Sequence, residues 1–212
     1  DSNTHGYCAD PNDTADRTDR FNEDERWTCL LQKALGEEYL VLEEGLSGRT
    51  TVFSDPLHEC MSGLDVIYST LMSHEPVDLL IIMLGTNDCK TRYRASASVI
   101  AKGLDQVIRK ARQNASRHFD LLVISPIHLG VGVGDADFDP EFDATSVAVS
   151  RNLANEYRKI ALQNHAAFLN ASDFAAPSVT DREHMDEKGH AALADAIYNK
   201  ILALQKGLSH VI

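Results

Sequence analysis

The sequence is poor in basic residues and lacks long apolar runs. Lysine and arginine number 20 against 32 aspartates and glutamates, which gives a formal net charge of -12 over 212 residues. Phosphate backbones and anionic membranes attract basic faces, so this balance argues against nucleic acid and membrane surfaces as partners. No apolar run approaches a membrane span, and the N-terminus is polar and acidic rather than basic and then apolar.

Paired cysteines are also missing. The four cysteines, Cys8, Cys29, Cys60 and Cys89, form no CxxC pair and no Cys/His ligand spacing. A structural zinc site needs such spacing, so we expect no metal. Scattered single cysteines are typical of free thiols in a reducing compartment, and we predict a cytoplasmic protein.

Apolar segments alternate with segments of helical period, which predicts an α/β fold with a parallel sheet wrapped by helices. The predicted helices lie at 25–35, 64–72, 95–113, 145–164 and 186–206, and the predicted strands at 39–42, 77–84, 120–125 and 167–170. The nearly continuous apolar run at 77–84 indicates a strand covered on both faces. At 43% hydrophobic residues, the chain can bury a core as one domain, 1–212.

Two irregular stretches are predicted to be surface loops. Residues 9–24 are rich in Asp, Asn and Thr, and residues 129–144 are rich in Gly and Asp. We expect both near the functional site, because such residues cluster in loops at the carboxyl ends of parallel strands. The glycines at 130, 132 and 134 lack the spacing of a dinucleotide fingerprint.

Two motifs at opposite ends of the chain supply a nucleophile and a base. The motif at 1–4, Asp-Ser-Asn-Thr, offers the hydroxyl of Ser2, although by itself it is more often a turn or a helix cap. The motif at 181–184, Asp-Arg-Glu-His, places a carboxylate three residues before a histidine. Asp181 can bend back to the ring Nδ1–H of His184 and leave Nε2 free to take a serine proton.

Two further motifs supply hydrogen-bond donors. The motif at 44–51, Glu-Gly-Leu-Ser-Gly-Arg-Thr-Thr, follows a predicted strand, and its glycines let a backbone N–H approach a bound oxygen. A plain loop is the alternative. The motif at 84–88, Leu-Gly-Thr-Asn-Asp, ends the strand at 77–84, where the amide of Asn87 can face a developing negative charge. The alternative is a cap on the following helix, formed by Asn87 and Asp88.

The other eight histidines are not predicted to be the base. His190 falls inside the last predicted helix, and His5 lies beside the motif at 1–4, where its role stays open. The remaining six are interpreted as surface or structural residues: His58, His74, His118, His128, His165 and His210.

These motifs, in this order and in these contexts, resemble those of the SGNH or GDSL-type hydrolase superfamily over essentially the whole chain. The four marker residues of that family match Ser2, Gly48, Asn87 and the pair Asp181/His184. The resemblance implies a flavodoxin-like three-layer α/β/α sandwich with a five-stranded parallel sheet. It also implies that Ser2 is the nucleophile, His184 the general base and Asp181 its orienting carboxylate. The implied oxyanion hole is the backbone N–H of Ser2 and of Gly48 with the side-chain amide of Asn87.

Within the superfamily, Arg26-Trp27 and the segments 44–51 and 81–88 look like the branch of bacterial arylesterases and acyltransferases. Members of that branch act on short-chain acyl and aryl esters, can pass the acyl group to alcohols or peroxide, and often form homo-oligomers. The resemblance therefore implies a serine esterase with a small-molecule ester substrate. No metal or organic cofactor is implied, because protein groups perform the catalysis. His5 departs from this branch, which commonly has Trp there, and the difference bears on acyl and alcohol preference.

The family's serine follows a hydrophobic first strand, whereas here Ser2 is the second residue. In a sheet of order 2-1-3-4-5 the first strand is central, and its absence would leave two neighbours with unpaired groups at about 1–3 kcal/mol each. One hypothesis places the strand upstream of Asp1. The other, slightly favoured, places residues 208–212 in the centre as a circular permutation, because the chain leaving Gly207 returns to the end where a parallel first strand begins.

Two other functions stay open beside the esterase. A carbohydrate O-deacetylase would use the same catalytic residues with different loops. A catalytically silent binding domain would result if the unusual N-terminus displaced Ser2. A nucleotide or phosphate binder is disfavoured, because no glycine-rich turn opens a helix after a strand.

Overall fold

This computed structural model describes residues 1–207. They contain six α-helices and three strands, joined by loops. The helices are α1 (Ser2–His5), α2 (Trp27–Leu35), α3 (Gly63–His74), α4 (Ala97–Asn114), α5 (Ala144–Gln163) and α6 (Glu187–Gln205), and the strands are β1 (Leu79–Met83), β2 (Asp120–Ser125) and β3 (Ala167–Asn170). Short 3-10 turns occur at Pro11–Asp13, Asn87–Cys89 and Ala171–Asp173. The five predicted helices and three of the four predicted strands form within about two residues of their expected ends, the usual uncertainty of a helix boundary.

The three strands form one parallel sheet in the order β1-β2-β3. Residues 79–83 of β1 pair with residues 120–124 of β2, and residues 122–125 of β2 pair with residues 167–170 of β3. In the middle strand, the side chains from Leu121 to Ile124 are at most 3% exposed. This burial confirms the prediction of an α/β fold with a parallel sheet. In β1, the strand predicted to be covered on both faces, residues 79–81 are only partly buried.

Alternate residues of β2 point into different apolar cores. Leu121 and Val123 belong to the core that α3, α4 and α5 share, whereas Leu122 and Ile124 belong to the core of α2 and α6. Successive side chains of a strand point to opposite faces, so the sheet separates two helical layers. The fold is therefore the expected three-layer α/β/α sandwich.

Side-chain caps decide where helices begin. Oδ1 of Asp186 accepts a hydrogen bond at 2.8 Å from a backbone N–H in the first turn of α6. Ahead of α2, the carboxylate of Glu25 accepts instead from the N–H of Ala15 at 3.1 Å and of Asn22 at 3.0 Å. Glu25 thus fastens the loop at 9–24, and the helix begins at Trp27.

The six helices are either too short or too polar to match a membrane span. Between residues 1 and 207, no helix is long and apolar enough to cross a membrane.

The four cysteines are free thiols, of which Cys8 and Cys89 are buried.

The prediction of five strands is wrong for the described residues, whose sheet has three. The predicted strand at 39–42 has no strand pairing, and Leu40 is 79% exposed. This segment and β1 both line one cavity of about 850 Å³. A strand needs a neighbour about 4.8 Å away to complete its hydrogen bonds, so the cavity explains why 39–42 stays unpaired.

Apolar residues form much of the lining of this cavity. Apolar side chains of both helical layers line it together with β1: Trp27, Leu31, Leu35, Val66, Ile67, Leu71, Leu79, Ile81, Met83, Ile201 and Leu204. Packed interiors hold few voids larger than a water molecule, so the described residues leave β1 uncovered on this side. The two hypotheses for a first strand stay predictions, and the one on 208–212 falls outside the described residues.

A substitution at Gly85 tests how β1 is joined to α5. Gly85 has φ +125°, and a Cβ there would lie 2.4 Å from the hydroxyl oxygen of Tyr157, which donates to the carbonyl of Leu84 at 2.8 Å. We expect Gly85→Ala to lower the free energy of unfolding by about 2–4 kcal/mol, from backbone strain and overpacking together. Chemical denaturation measures it.

The matched control is Gly36→Ala. Gly36 has φ +79°, but no atom of residues 1–207 lies within 4 Å of its added Cβ, so only the backbone cost applies. Equal losses at the two glycines would contradict the contact with Tyr157.

Candidate active site

Ser2 is the first residue of α1, a single helical turn. Asp1 caps this turn by accepting from the N–H of Asn3 at 3.1 Å, and Gly6 ends it in the left-handed region at φ 84°. The first N–H groups of a helix have no intrahelical acceptor. The N–H of Ser2 takes part in none of the described backbone hydrogen bonds, so it remains available beside the serine hydroxyl.

Three of the predicted side chains meet in one hydrogen-bonded line. Oγ of Ser2 lies 2.8 Å from Nε2 of His184, and Nδ1 of His184 lies 2.6 Å from Oδ2 of Asp181. An ionised carboxylate only accepts, so Nδ1 carries the proton and Nε2 accepts from the serine hydroxyl. Oδ1 of Asp181 also accepts from the N–H of Glu183 at 2.9 Å and of His184 at 3.0 Å, which fixes the carboxylate.

The electrostatic surroundings suit proton exchange at His184. Burial alone would lower the pKa of His184, but the hydrogen bond to Asp181 and the charges of Glu183 and Asp181 raise it above its usual value. Burial alone would raise the pKa of Asp181, but its bonds with His184 and the backbone hold it below the usual value. Asp181 is therefore ionised, and His184 can hold a proton that it receives.

The other two predicted site residues, Gly48 and Asn87, line the same cavity as Ser2. Gly48 has φ 87°, a region that favours glycine, and its N–H takes part in none of the described backbone hydrogen bonds. Nδ2 of Asn87 donates to the carbonyl of Arg49 at 3.1 Å and has a second hydrogen. The structure thus brings three N–H-bearing groups to one cavity.

Asp88 joins these two donor loops rather than capping a helix. Both of its carboxylate oxygens accept from the N–H of Thr51 at 3.0 Å, and one also accepts from the Thr51 hydroxyl. Burial raises the pKa of Asp88 to about 6, although the bonds from Thr51 oppose the shift. The cap interpretation of Asp88 is therefore wrong.

Asn3, which no sequence motif singled out, joins the two ends of the chain. Its Oδ1 accepts from the N–H of Met185 at 2.9 Å, and its Nδ2 donates to the carbonyl of Glu183 at 3.5 Å. Its own carbonyl accepts from the indole N–H of Trp27 at 3.2 Å. These bonds hold the residues on both sides of His184 against α1. The local sequence around Asn3 carries no signal beyond a turn.

Two neighbouring histidines have other positions. His190 is fully buried, with Nδ1 3.3 Å from the backbone nitrogen of Trp27 and its ring edge-on to Phe21, and burial lowers its pKa to about 4. His5 does not line the cavity, and its carbonyl accepts from Arg20 at 2.8 Å. Neither ring reaches the hydrogen-bonded line.

The cavity at Ser2 has a volume of about 530 Å³, and its lining includes four acidic residues among apolar and polar ones. Its lining residues are Ser2, Tyr7, Ala9, Ser47, Gly48, Asn87, Lys90, Asp137, Phe138, Asp139, Pro140, Thr180, Asp181, Glu183 and His184. Lys90, the cationic side chain of this set, is paired with Glu141. A site of this size accommodates a small ligand.

The loop at 129–144 forms one wall of this cavity. The guanidinium of Arg182 lies 3.9 Å over the ring of Phe138 and donates to Asp135 at 3.1 Å and to the carbonyl of Val131 at 3.0 Å. In return, the N–H of Gly130 donates to the carbonyl of Arg182 at 2.7 Å. The wall is thereby attached to the motif at 181–184. The loop at 9–24 contributes one lining residue.

Known proteins show what this chain is similar to. The carbohydrate acetylesterase Est24 from Sinorhizobium meliloti is 29% identical over 96% of each chain, with a TM-score of 0.86. The aryl esterase of M. smegmatis is 30% identical over 96% of each chain, with a TM-score of 0.84. No curated protein matches the sequence.

The family comparison is equally direct. The GDSL-like Lipase/Acylhydrolase family matches residues 1–192. Together with the two esterase structures, this match identifies a carboxylic ester hydrolase. The chain belongs to the GDSL-like lipase/acylhydrolase family, as the sequence motifs predicted.

Substituting Asn3 tests the junction between α1 and the loop of His184. Asn3→Ala leaves the buried N–H of Met185 without its acceptor, which costs about 1–3 kcal/mol of unfolding free energy. Because the ring of His184 then loses its support, we also expect kcat to fall. Asn152→Ala on the exposed face of α5 is the matched control and should change neither quantity. An unchanged kcat in Asn3→Ala would contradict the positioning role.

Proposed function

We propose that this protein hydrolyses short-chain acyl esters through an acyl-enzyme on Ser2, with His184 as general base and Asp181 as its orienting carboxylate. One observation carries the proposal: Ser2 Oγ, His184 and Asp181 lie in line at 2.8 and 2.6 Å. This arrangement is the one that serine hydrolases use on unrelated folds.

In the first half of the reaction, Oγ of Ser2 attacks the ester carbonyl carbon as its proton passes to Nε2 of His184. The carbonyl oxygen becomes negative and accepts from the N–H groups of Ser2 and Gly48 and from the amide of Asn87. Each such donor contributes a few kcal/mol to the transition state. The C–O bond to the alcohol then breaks, and the alcohol oxygen takes the proton from Nε2.

In the second half, water attacks the acyl carbon and gives a proton to Nε2 of His184. The bond to Oγ of Ser2 breaks, Oγ recovers the proton, and the carboxylic acid leaves. An alcohol or peroxide in place of water would give acyl transfer by the same steps. The volume of about 530 Å³ supports a small substrate, because much of that space must hold the alcohol as well as the acyl group.

A carbohydrate O-deacetylase is the second candidate. The polar lining of the cavity favours it, because Asp137, Asp139 and Glu183 offer acceptors for the hydroxyls of a sugar. The silent binding domain has less support, since it required Ser2 to be displaced, whereas Oγ lies within hydrogen-bond distance of His184.

Loss of either reacting group should abolish turnover. We expect Ser2→Ala and His184→Ala each to lower kcat on short-chain nitrophenyl esters by about 10⁴–10⁶. Ser69→Ala and His118→Ala remove the same side chains at exposed positions and should keep the full rate. Full rates in Ser2→Ala and His184→Ala would contradict the proposal.

The pH profile should report the raised pKa of His184. The base works only when neutral, so kcat/KM falls as the pH drops through this pKa. Because Asp181 and Glu183 raise the pKa, we expect the acidic limb above the usual histidine value of about 6.5. A limb below that value would contradict the assignment of His184, and an inactive Ser2→Ala supplies the background rate.

A further inference from the structure

The carboxylate of Glu183 is a buried charge beside the reacting atoms. Its side chain is 9% exposed, and Oε1 lies 3.7 Å from Nε2 of His184. The same Nε2 lies 2.8 Å from Oγ of Ser2. Glu183 therefore borders the point where the proposed reaction exchanges its proton.

Among the described residues, none donates a hydrogen bond to the carboxylate of Glu183. Nε2 of His184 accepts from Ser2 in the resting state and has no hydrogen to offer, and Lys90 is paired with Glu141. Its oxygens keep a small exposure to the cavity, while burial of the rest of the side chain raises the pKa of Glu183. Since buried polar groups are almost always satisfied, an acceptor that lines a substrate cavity indicates a donor arriving with the ligand.

The geometry restricts where that donor sits on the substrate. The leaving oxygen must come within about 2.6–3.2 Å of Nε2 of His184 to receive its proton. Oε1 of Glu183 is 3.7 Å from the same nitrogen. A hydroxyl on the carbon next to the leaving oxygen's own carbon is therefore within reach of the carboxylate, and a bond to a charged acceptor is about twice as strong as a neutral one.

We propose that Glu183 is a specificity-determining residue that accepts a hydrogen bond from a hydroxyl of the leaving alcohol, adjacent to the ester. The inference rests on the proposed function, because it needs His184 to return a proton to that alcohol. It assigns the site to esters of polyhydroxy alcohols, such as polyols and sugars, in preference to simple alkyl esters.

The negative charge of Glu183 should also affect the rate at which aryl esters are hydrolysed. A nitrophenolate leaves with negative charge, and a neighbouring carboxylate repels it. Asp137 and Asp139 line the same cavity and add to this repulsion. The carboxylate should therefore raise the rate for hydroxyl-bearing alcohols and lower it for nitrophenyl esters, whereas general damage to the site would lower both.

The test compares matched esters on the full chain. We expect wild type to prefer 2-hydroxyethyl acetate over propyl acetate, which has the same size without the hydroxyl. In Glu183→Leu the ratio of their kcat/KM values should fall about tenfold, and in Glu183→Gln, which keeps an acceptor oxygen, it should fall less. On 4-nitrophenyl acetate, whose leaving group has no such hydroxyl, any change in rate should be smaller than the change on 2-hydroxyethyl acetate.

Controls separate the outcomes. Glu187→Gln, at an exposed position four residues along, should leave all ratios unchanged. Melting temperatures at or above that of wild type are expected for both Glu183 variants, because an unpaired buried charge is removed. A second pair of esters tests the effect of charge alone. Acetylcholine carries a positive charge without a hydrogen-bond donor, and 3,3-dimethylbutyl acetate has the same shape without the charge. The acetylcholine ratio is the ratio of their kcat/KM values.

An unchanged hydroxyl ratio in Glu183→Leu would overturn the inference. So would a larger response of the acetylcholine ratio than of the hydroxyl ratio, since charge alone would then decide. If Ser2→Ala abolishes turnover in either case, the proposed function stands and only the role of Glu183 fails; activity in Ser2→Ala would remove the basis of both.

Discussion

The site depends on one contact between the two ends of the chain. Ser2 and His184, 182 residues apart, share a hydrogen bond, and Asn3 and Met185, equally far apart, share another beside it. The first bond carries the proposed chemistry, while the second holds the backbone that carries the histidine ring. Neither end forms a long helix or strand at this point, so the junction relies on buried hydrogen bonds made by side chains. These bonds break if either partner moves.

The loops at 44–51 and 84–88, which carry Gly48 and Asn87, depend on a second junction in the middle of the chain. Asp88 holds Thr51 by its carboxylate, and Tyr157 holds the end of β1 through the carbonyl of Leu84. Gly85 permits this closeness because no Cβ stands between the strand end and Tyr157. Rigid placement of N–H groups is what makes them effective at a developing negative charge, since they need no reorganisation during the reaction.

The cavity beside β1 connects the fold to the site. Asp1 and Thr4, at the nucleophile turn, line it at one end, and Leu204 and Gln205, at the end of α6, line it as well. The cavity therefore reaches the turn that presents Ser2. Within residues 1–207, the bonds of Asn3 and Asp1 hold this turn.

The sequence alone determined the layers and the candidate groups. Apolar runs such as 77–84 predicted the parallel strands, and four short motifs predicted Ser2, Gly48, Asn87, Asp181 and His184. The tertiary structure decided what depends on long-range contacts. The strand at 39–42 did not form, because a strand is stable only with a paired neighbour. Asp88 bonds Thr51 rather than a helix end, Asn3 joins the chain ends, and no group within residues 1–207 donates to the carboxylate of Glu183. Local patterns cannot reveal these roles, because each depends on which distant backbone or cavity the fold brings to the side chain.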